Sequence, residues 1–137
     1  MIELADSSAW GKFHALRPSD QLNFTTQIVN LEVATCALVL GEVLFSTRGH
    51  NELAETRDRM RALLYCPIRE AQFERAHDVM DKLARRGHHR QASYIDCVIA
   101  AAAEASEVGI VHYDADFDAI AAVTGQPVRA IAPIGSL

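Results

Sequence analysis

The sequence predicts an α/β fold of three layers, with a short central parallel sheet covered by helices on both faces. Two observations carry that expectation. Short apolar runs with β-branched residues alternate with stretches whose apolar residues recur at helical spacing. Two of the short runs also stop directly at an aspartate, Asp6 and Asp114, a residue that caps helices. A strand running into a capped helix is the unit from which parallel sheets are assembled.

Met1 to Ala5 reads as the first strand, and Asp6-Ser7-Ser8 as the cap of a short helix through Trp10 and Phe13. Pro18-Ser19-Asp20 starts a second helix, with Leu22, Phe24, Ile28 and Val29 as its apolar face. The apolar stretch from Leu31 to Leu44 is too long for one strand. It divides into a buried strand around Val33 and Thr35 and a helix from Ala37 to Phe45 that carries Glu42. After a loop at Ser46 to Gly49, a polar helix spans about 51–63, turning Leu53, Met60, Leu63 and Leu64 inward. Tyr65 to Ile68 is a short strand candidate broken by Pro67. Residues 69–86 form a helix with Phe73, Ala76, His77, Met80, Leu83 and Ala84 at helical spacing and Gly87 as its stop.

Ser93 through Glu107 is a helix whose Ile95, Val98, Ile99, Ala102 and Ala103 imply near-complete burial. Gly109 to Tyr113 is a strand, 114–118 the turn into a helix through Ile120 and Val123, and Gly125-Gln126-Pro127 its end. Val128 to Ile131 is the last strand.

A chain of 137 residues, half of them apolar, buries one sizeable core, so a single domain over 1–137 is expected. No segment has the apolar length of a membrane span, and the acidic start Met-Ile-Glu-Leu-Ala-Asp is unlike a signal peptide; the expected location is the cytoplasm. Cys36, Cys66 and Cys97 are odd in number and scattered among apolar neighbours, which suits buried thiols. The adjacent His88 and His89 have no second pair to complete a zinc site. A net charge of −5 argues against a nucleic-acid partner at first sight, but acids gathered at a metal site are neutralised there, and a local basic patch still attracts a polyanion.

The carboxylates carry the chemical information. Ligands of parallel sheets bind beyond the carboxyl ends of the strands, where Asp6 and Asp114 fall. Glu42 and Asp96 lie inside apolar helices with no Lys or Arg at a matching position, and an unpaired buried carboxylate costs several kcal/mol. One divalent cation would satisfy all four acids, and oxygen-only ligands favour Mg²⁺ or Mn²⁺ over zinc. Taken singly, Asp6, Asp114 and Asp116 also suit ordinary caps and turns, a reading the sequence leaves open.

Asp6-Ser7-Ser8-Ala9-Trp10, Leu40-Gly41-Glu42-Val43, Asp96-Cys97-Val98-Ile99-Ala100-Ala101 and Tyr113-Asp114-Ala115-Asp116-Phe117-Asp118 resemble, in order and spacing, the four motifs of PIN-domain ribonucleases. The VapC toxins of VapBC toxin–antitoxin pairs are the nearest subgroup. The resemblance covers essentially the whole chain and implies a PIN-like fold. It implies Asp6, Glu42, Asp96 and Asp114 as metal-binding catalytic acids, Asp116 as a further catalytic acid, and Ser7 as a hydroxyl that orders the site. His112 departs from the pattern, since many members carry Thr or Ser there.

The implied activity is Mg²⁺- or Mn²⁺-dependent endoribonuclease cleavage by activated water, with no covalent intermediate because no Ser or Cys nucleophile accompanies a His and Asp. Arg85, Arg86 and Arg90, before the Asp96 helix, are the expected RNA phosphate contacts, although basic residues at a helix end also serve the helix dipole. The resemblance further implies a cognate antitoxin, and the apolar segment from Leu22 to Phe45 a homodimer. A maturation or surveillance nuclease without an antitoxin and an inactive metal-binding scaffold are the alternatives.

Overall fold

In the computed structural model, which describes all of residues 1–137, five strands alternate with seven α-helices. The strands β1 (Glu3–Ala5), β2 (Val33–Thr35), β3 (Leu64–Tyr65), β4 (Gly109–His112) and β5 (Val128–Ala130) are all parallel, in the order β3-β2-β1-β4-β5. The helices are α1 (Ser7–Trp10), α2 (Pro18–Val29), α3 (Ala37–Phe45), α4 (His50–Met60), α5 (Glu70–Arg85), α6 (Tyr94–Ala105) and α7 (Ala115–Thr124).

The three layers follow from the twofold alternation of strand side chains. Leu4 pairs in register with Ala34 and Ile110, and all three face one side, where they pack with Val79 and Leu83 of α5, Ile99 of α6 and Phe117 of α7. Ala5 and its partner Val111 face the other side, together with Val33, and meet Ala9, Leu16 and Phe24. Residues 96–103 of α6 are all buried and half of them are alanine, so α5 and β4 approach that helix closely. Glu3 is buried as well, but Arg129 of β5 donates to its carboxylate at 2.8 and 3.1 Å and Gln27 at 3.2 Å. No helix is long and apolar enough to cross a membrane.

Several expectations need correction. β3 starts one residue early and ends at Tyr65 rather than Ile68, because after Cys66 N donates to Thr35 O, Pro67 has no N–H to continue the ladder, and as the edge strand it is exposed. Leu64 is therefore exposed rather than inward, and α4 stops at Met60. Leu22 and Val29 of α2 are exposed, leaving Phe24 as its buried anchor. The buried face of α5 is Ala76, Val79 and Leu83; Phe73, His77 and Ala84 lie outside it. Ile95 is also exposed, on the first turn of α6. The 114–118 turn is already helix from Ala115 onward.

Candidate active site

β1 is the central strand, so its carboxyl end is flanked by the ends of β2 and β4. Asp6 follows it, 3% exposed, with its backbone N bonded to Val111 O at 3.0 Å. It caps α1: Oδ2 accepts from Ser8 N at 3.0 Å and from Ser8 Oγ at 2.6 Å. Its other oxygen, Oδ1, is buried and has no hydrogen-bond partner. Ser8 Oγ also accepts from Tyr113 N at 2.9 Å, tying Asp6 to the end of β4.

The first turns of α6 and α7 bring three more acids together. Ser93 caps α6 by accepting from Asp96 N at 3.1 Å, which places Asp96 on the first turn. Asp114 caps α7 through Oδ1, which accepts from Asp116 N at 2.9 Å. Asp116 Oδ2 in turn accepts from Ser93 N at 3.3 Å, linking the two helix starts. The carboxylates of Asp96, Asp114 and Asp116 offer oxygens that all lie within 4.8 Å of one another. Amide dipoles at the two N-termini favour negative charge here but cannot neutralise three carboxylates.

That crowding shows in the titration of Asp96. Burial first, then the hydrogen bond with Asp116 and the charges of Asp6 and Asp114, push its carboxyl up to about 8. Glu42 is raised too, by burial first and then by the charge of Asp6, against the hydrogen bond from Ser7 Oγ at 3.3 Å. Asp6 is thus the common neighbour of the cluster and of Glu42. No ion pair in the fold engages any of these five acids. Closely spaced carboxylates without a basic partner need a shared proton or a cation, and the partnerless buried Oδ1 of Asp6 asks for the same thing. The donor set is all oxygen and fits a hard divalent cation.

The structure thus brings Asp96, Asp114 and Asp116 into one cluster with Asp6 beside it, and sets Glu42 at the rim. Glu42 is not buried as expected: only Val39 of α3 is fully inside, and Glu42 lies on an exposed face. Ser7 reaches Glu42, while Ser8 orders Asp6, a role the sequence hid because Asp6 precedes two serines. Arg85 and Arg86 stand exposed at the end of α5 and Arg90 in the loop leading to Ser93; Arg85 already pairs with Asp81 at 3.0 Å.

Beside the acids, a cleft of about 690 Å³ runs between α1 and α3, with Ser7 and Glu42 in its wall and Trp10, Leu38, Val43 and Phe45 as its apolar lining. Phe45 is 92% exposed.

The PIN domain family profile matches residues 4–123. Ribonuclease VapC18 of Mycobacterium tuberculosis is 35% identical over the full length of both chains, and Ribonuclease VapC51 of the same organism is 36% identical over 82% of this chain and 74% of its own. Among solved structures, DNA-bound VapBC from Salmonella typhimurium has a chain of the same fold, with a TM-score of 0.74 at 14% identity over 96% of this chain and all of that one. A toxin–antitoxin complex from Klebsiella pneumoniae has a chain that superposes with a TM-score of 0.70 at 16% identity, covering 96% and 99% of the two chains. With the family profile matching residues 4–123 and 35% identity to a VapC ribonuclease over the full length of both chains, the chain belongs to the PIN-domain family, in its VapC ribonuclease branch.

Proposed function

We propose that the chain, folding as one domain in the cytoplasm, is the toxin of a toxin–antitoxin pair, an endoribonuclease that uses Mg²⁺ or Mn²⁺. The observation that carries this is the meeting of Asp96, Asp114 and Asp116 within 4.8 Å beside the unpartnered Oδ1 of Asp6, in a chain of the VapC branch. Asp6, Asp96 and Asp114 hold the cation. Asp116 is close enough to join them, and Glu42 supports the set from the rim beside Asp6. When bound, the cation supplies an activated water for attack on phosphorus and offsets the charge that builds on the phosphoryl oxygens.

The chain's own groups do the rest. Ser8 fixes Asp6, Ser93 and Asp116 lock the two helix starts together, and Ser7 restrains Glu42. Arg86 and Arg90, which make no ion pair, meet the RNA backbone, with Arg85 joining them by leaving Asp81. A shallow site of this kind suits single-stranded RNA or loops. The test is incubation of the purified chain with single-stranded RNA, with Mg²⁺ and with EDTA. Cleavage leaving 5′-phosphate and 3′-hydroxyl ends, stopped by EDTA, is expected; full cleavage in chelator contradicts the metal assignment.

The apolar cleft beside Glu42 suits one helix of a small antitoxin, with an adjoining Arg paired to the acids in place of the cation. Exposed Leu22, Val29 and Leu31 are the surface for pairing with a second copy. Light scattering of the purified chain, alone and with the protein encoded beside it, is expected to show a dimer that binds this neighbour. A monomer that ignores the neighbour refutes both associations and leaves the nuclease chemistry standing.

A further inference from the structure

His112 is the last residue of β4 and is wholly buried. Its Nδ1 lies 3.1 Å from the backbone N of Asp114 and accepts that hydrogen. The ring proton must therefore sit on Nε2, which is 3.2 Å from Asp118 Oδ1 but out of line for a hydrogen bond. The ring also lies over Phe117, with centroids 5.4 Å apart.

This contact fills a particular gap. Asp114 is the cap of α7, and in a capping box the N–H of the capping residue is met by a Glu or Gln three residues on. That position is Phe117, which has no acceptor. His112 supplies the acceptor from the strand side instead. We propose that His112 is a positioning residue for the metal site, its Nδ1 fixing the Asp114 peptide and so the direction in which the Asp114 carboxylate enters the cluster with Asp96 and Asp116. Its consequence for metal rests on the ribonuclease reading above; the hydrogen bond itself does not.

The test uses the full chain, wild type and three variants. In His112→Asn the side-chain oxygen replaces Nδ1 as acceptor. His112→Gln moves the polar group to the place of Nε2, and His112→Phe keeps the ring without an acceptor. Three readouts are taken: the imidazole nitrogen spectrum of the metal-free wild type, hydrogen exchange at the Asp114 amide, and Mn²⁺ binding by calorimetry, with thermal unfolding to confirm folding. The expected results are the Nε2–H tautomer, a protected Asp114 amide in wild type and His112→Asn, and Mn²⁺ affinity within about twofold in His112→Asn. The Gln and Phe variants lose amide protection and about tenfold or more in affinity, as expected for a group that orients a metal ligand.

A proton on Nδ1, or Gln and Phe variants that keep both amide protection and affinity, overturns the proposal, as does an Asn variant no better than Gln. If the Phe variant does not fold, the Asn–Gln pair and the tautomer decide. A wild-type chain that binds no Mn²⁺ sinks the metal reading, and the tautomer and the Asp114 amide still decide the role of His112.

Discussion

Ionisation of Asp96 is opposed by burial and by the charges of Asp6 and Asp114, so in the metal-free chain its carboxyl keeps a proton up to about pH 8, against an ordinary value of 3.8. Between those values the folded state binds more protons than the unfolded one, so stability is full below the ordinary value and is lost as pH rises toward 8. Asp96→Asn keeps the volume and cannot ionise. In EDTA, the variant should hold a nearly constant Tm from about pH 5 to about pH 8 while wild type falls by some degrees, and calorimetry checks this. With Mg²⁺, it should lose cleavage by about a hundredfold or more, the scale seen when a group that stabilises transition-state charge is removed. Asp96 stood out in the sequence because an acid within an alanine-rich helix has nowhere dry to go without a partner. The same argument misplaced Glu42, because α3 is apolar on nearly every face and its periodicity does not say which face is inside. Ser8 and His112 were illegible for different reasons: the role of Ser8 depends on a contact across the sheet ends with Tyr113 that local pattern does not contain, and nothing in the sequence says that the His112 ring turns back onto the Asp114 amide two residues on.

At the scale of elements, the caps decide where helices begin, and they were readable where a side chain does the capping: Asp6, Ser93 and Asp114 all accept from first-turn amides. Helix ends were harder. The sequence suggested that α6 continues to Glu107, yet it stops at Ala105, and Glu107 takes a left-handed backbone with φ of 57°. Glycine ordinarily fills that role and here a glutamate does, so the stop signal was missing. Left-handed backbone costs an L-residue about 1–2 kcal/mol, and glycine's extra freedom in the unfolded chain returns part of that. Glu107 is exposed and makes no side-chain hydrogen bond or ion pair. Glu107→Gly is therefore expected to stabilise the fold by about 0.5–1 kcal/mol in urea titrations with cleavage unchanged; destabilisation would show that the turn is held by something other than its dihedral.

For the whole molecule, alternation of strands and helices was enough to specify parallel layers, since parallel strands require crossovers and helices supply them. The order β3-β2-β1-β4-β5 was not legible, because strands of two to four residues carry too little pattern to choose their neighbours. That order nevertheless makes the site: with β1 central, Asp6 and the start of α7 after β4 come side by side, and α6, packed against β4, adds Asp96. A metal bound at this convergence is what the proposed chemistry requires. It is tested most directly by growing crystals of the chain with Mn²⁺ and recording anomalous diffraction at the manganese edge. A strong peak is expected among the carboxylates of Asp6, Asp96, Asp114 and Asp116; a preparation that cleaves RNA but shows no manganese there would contradict the metal site.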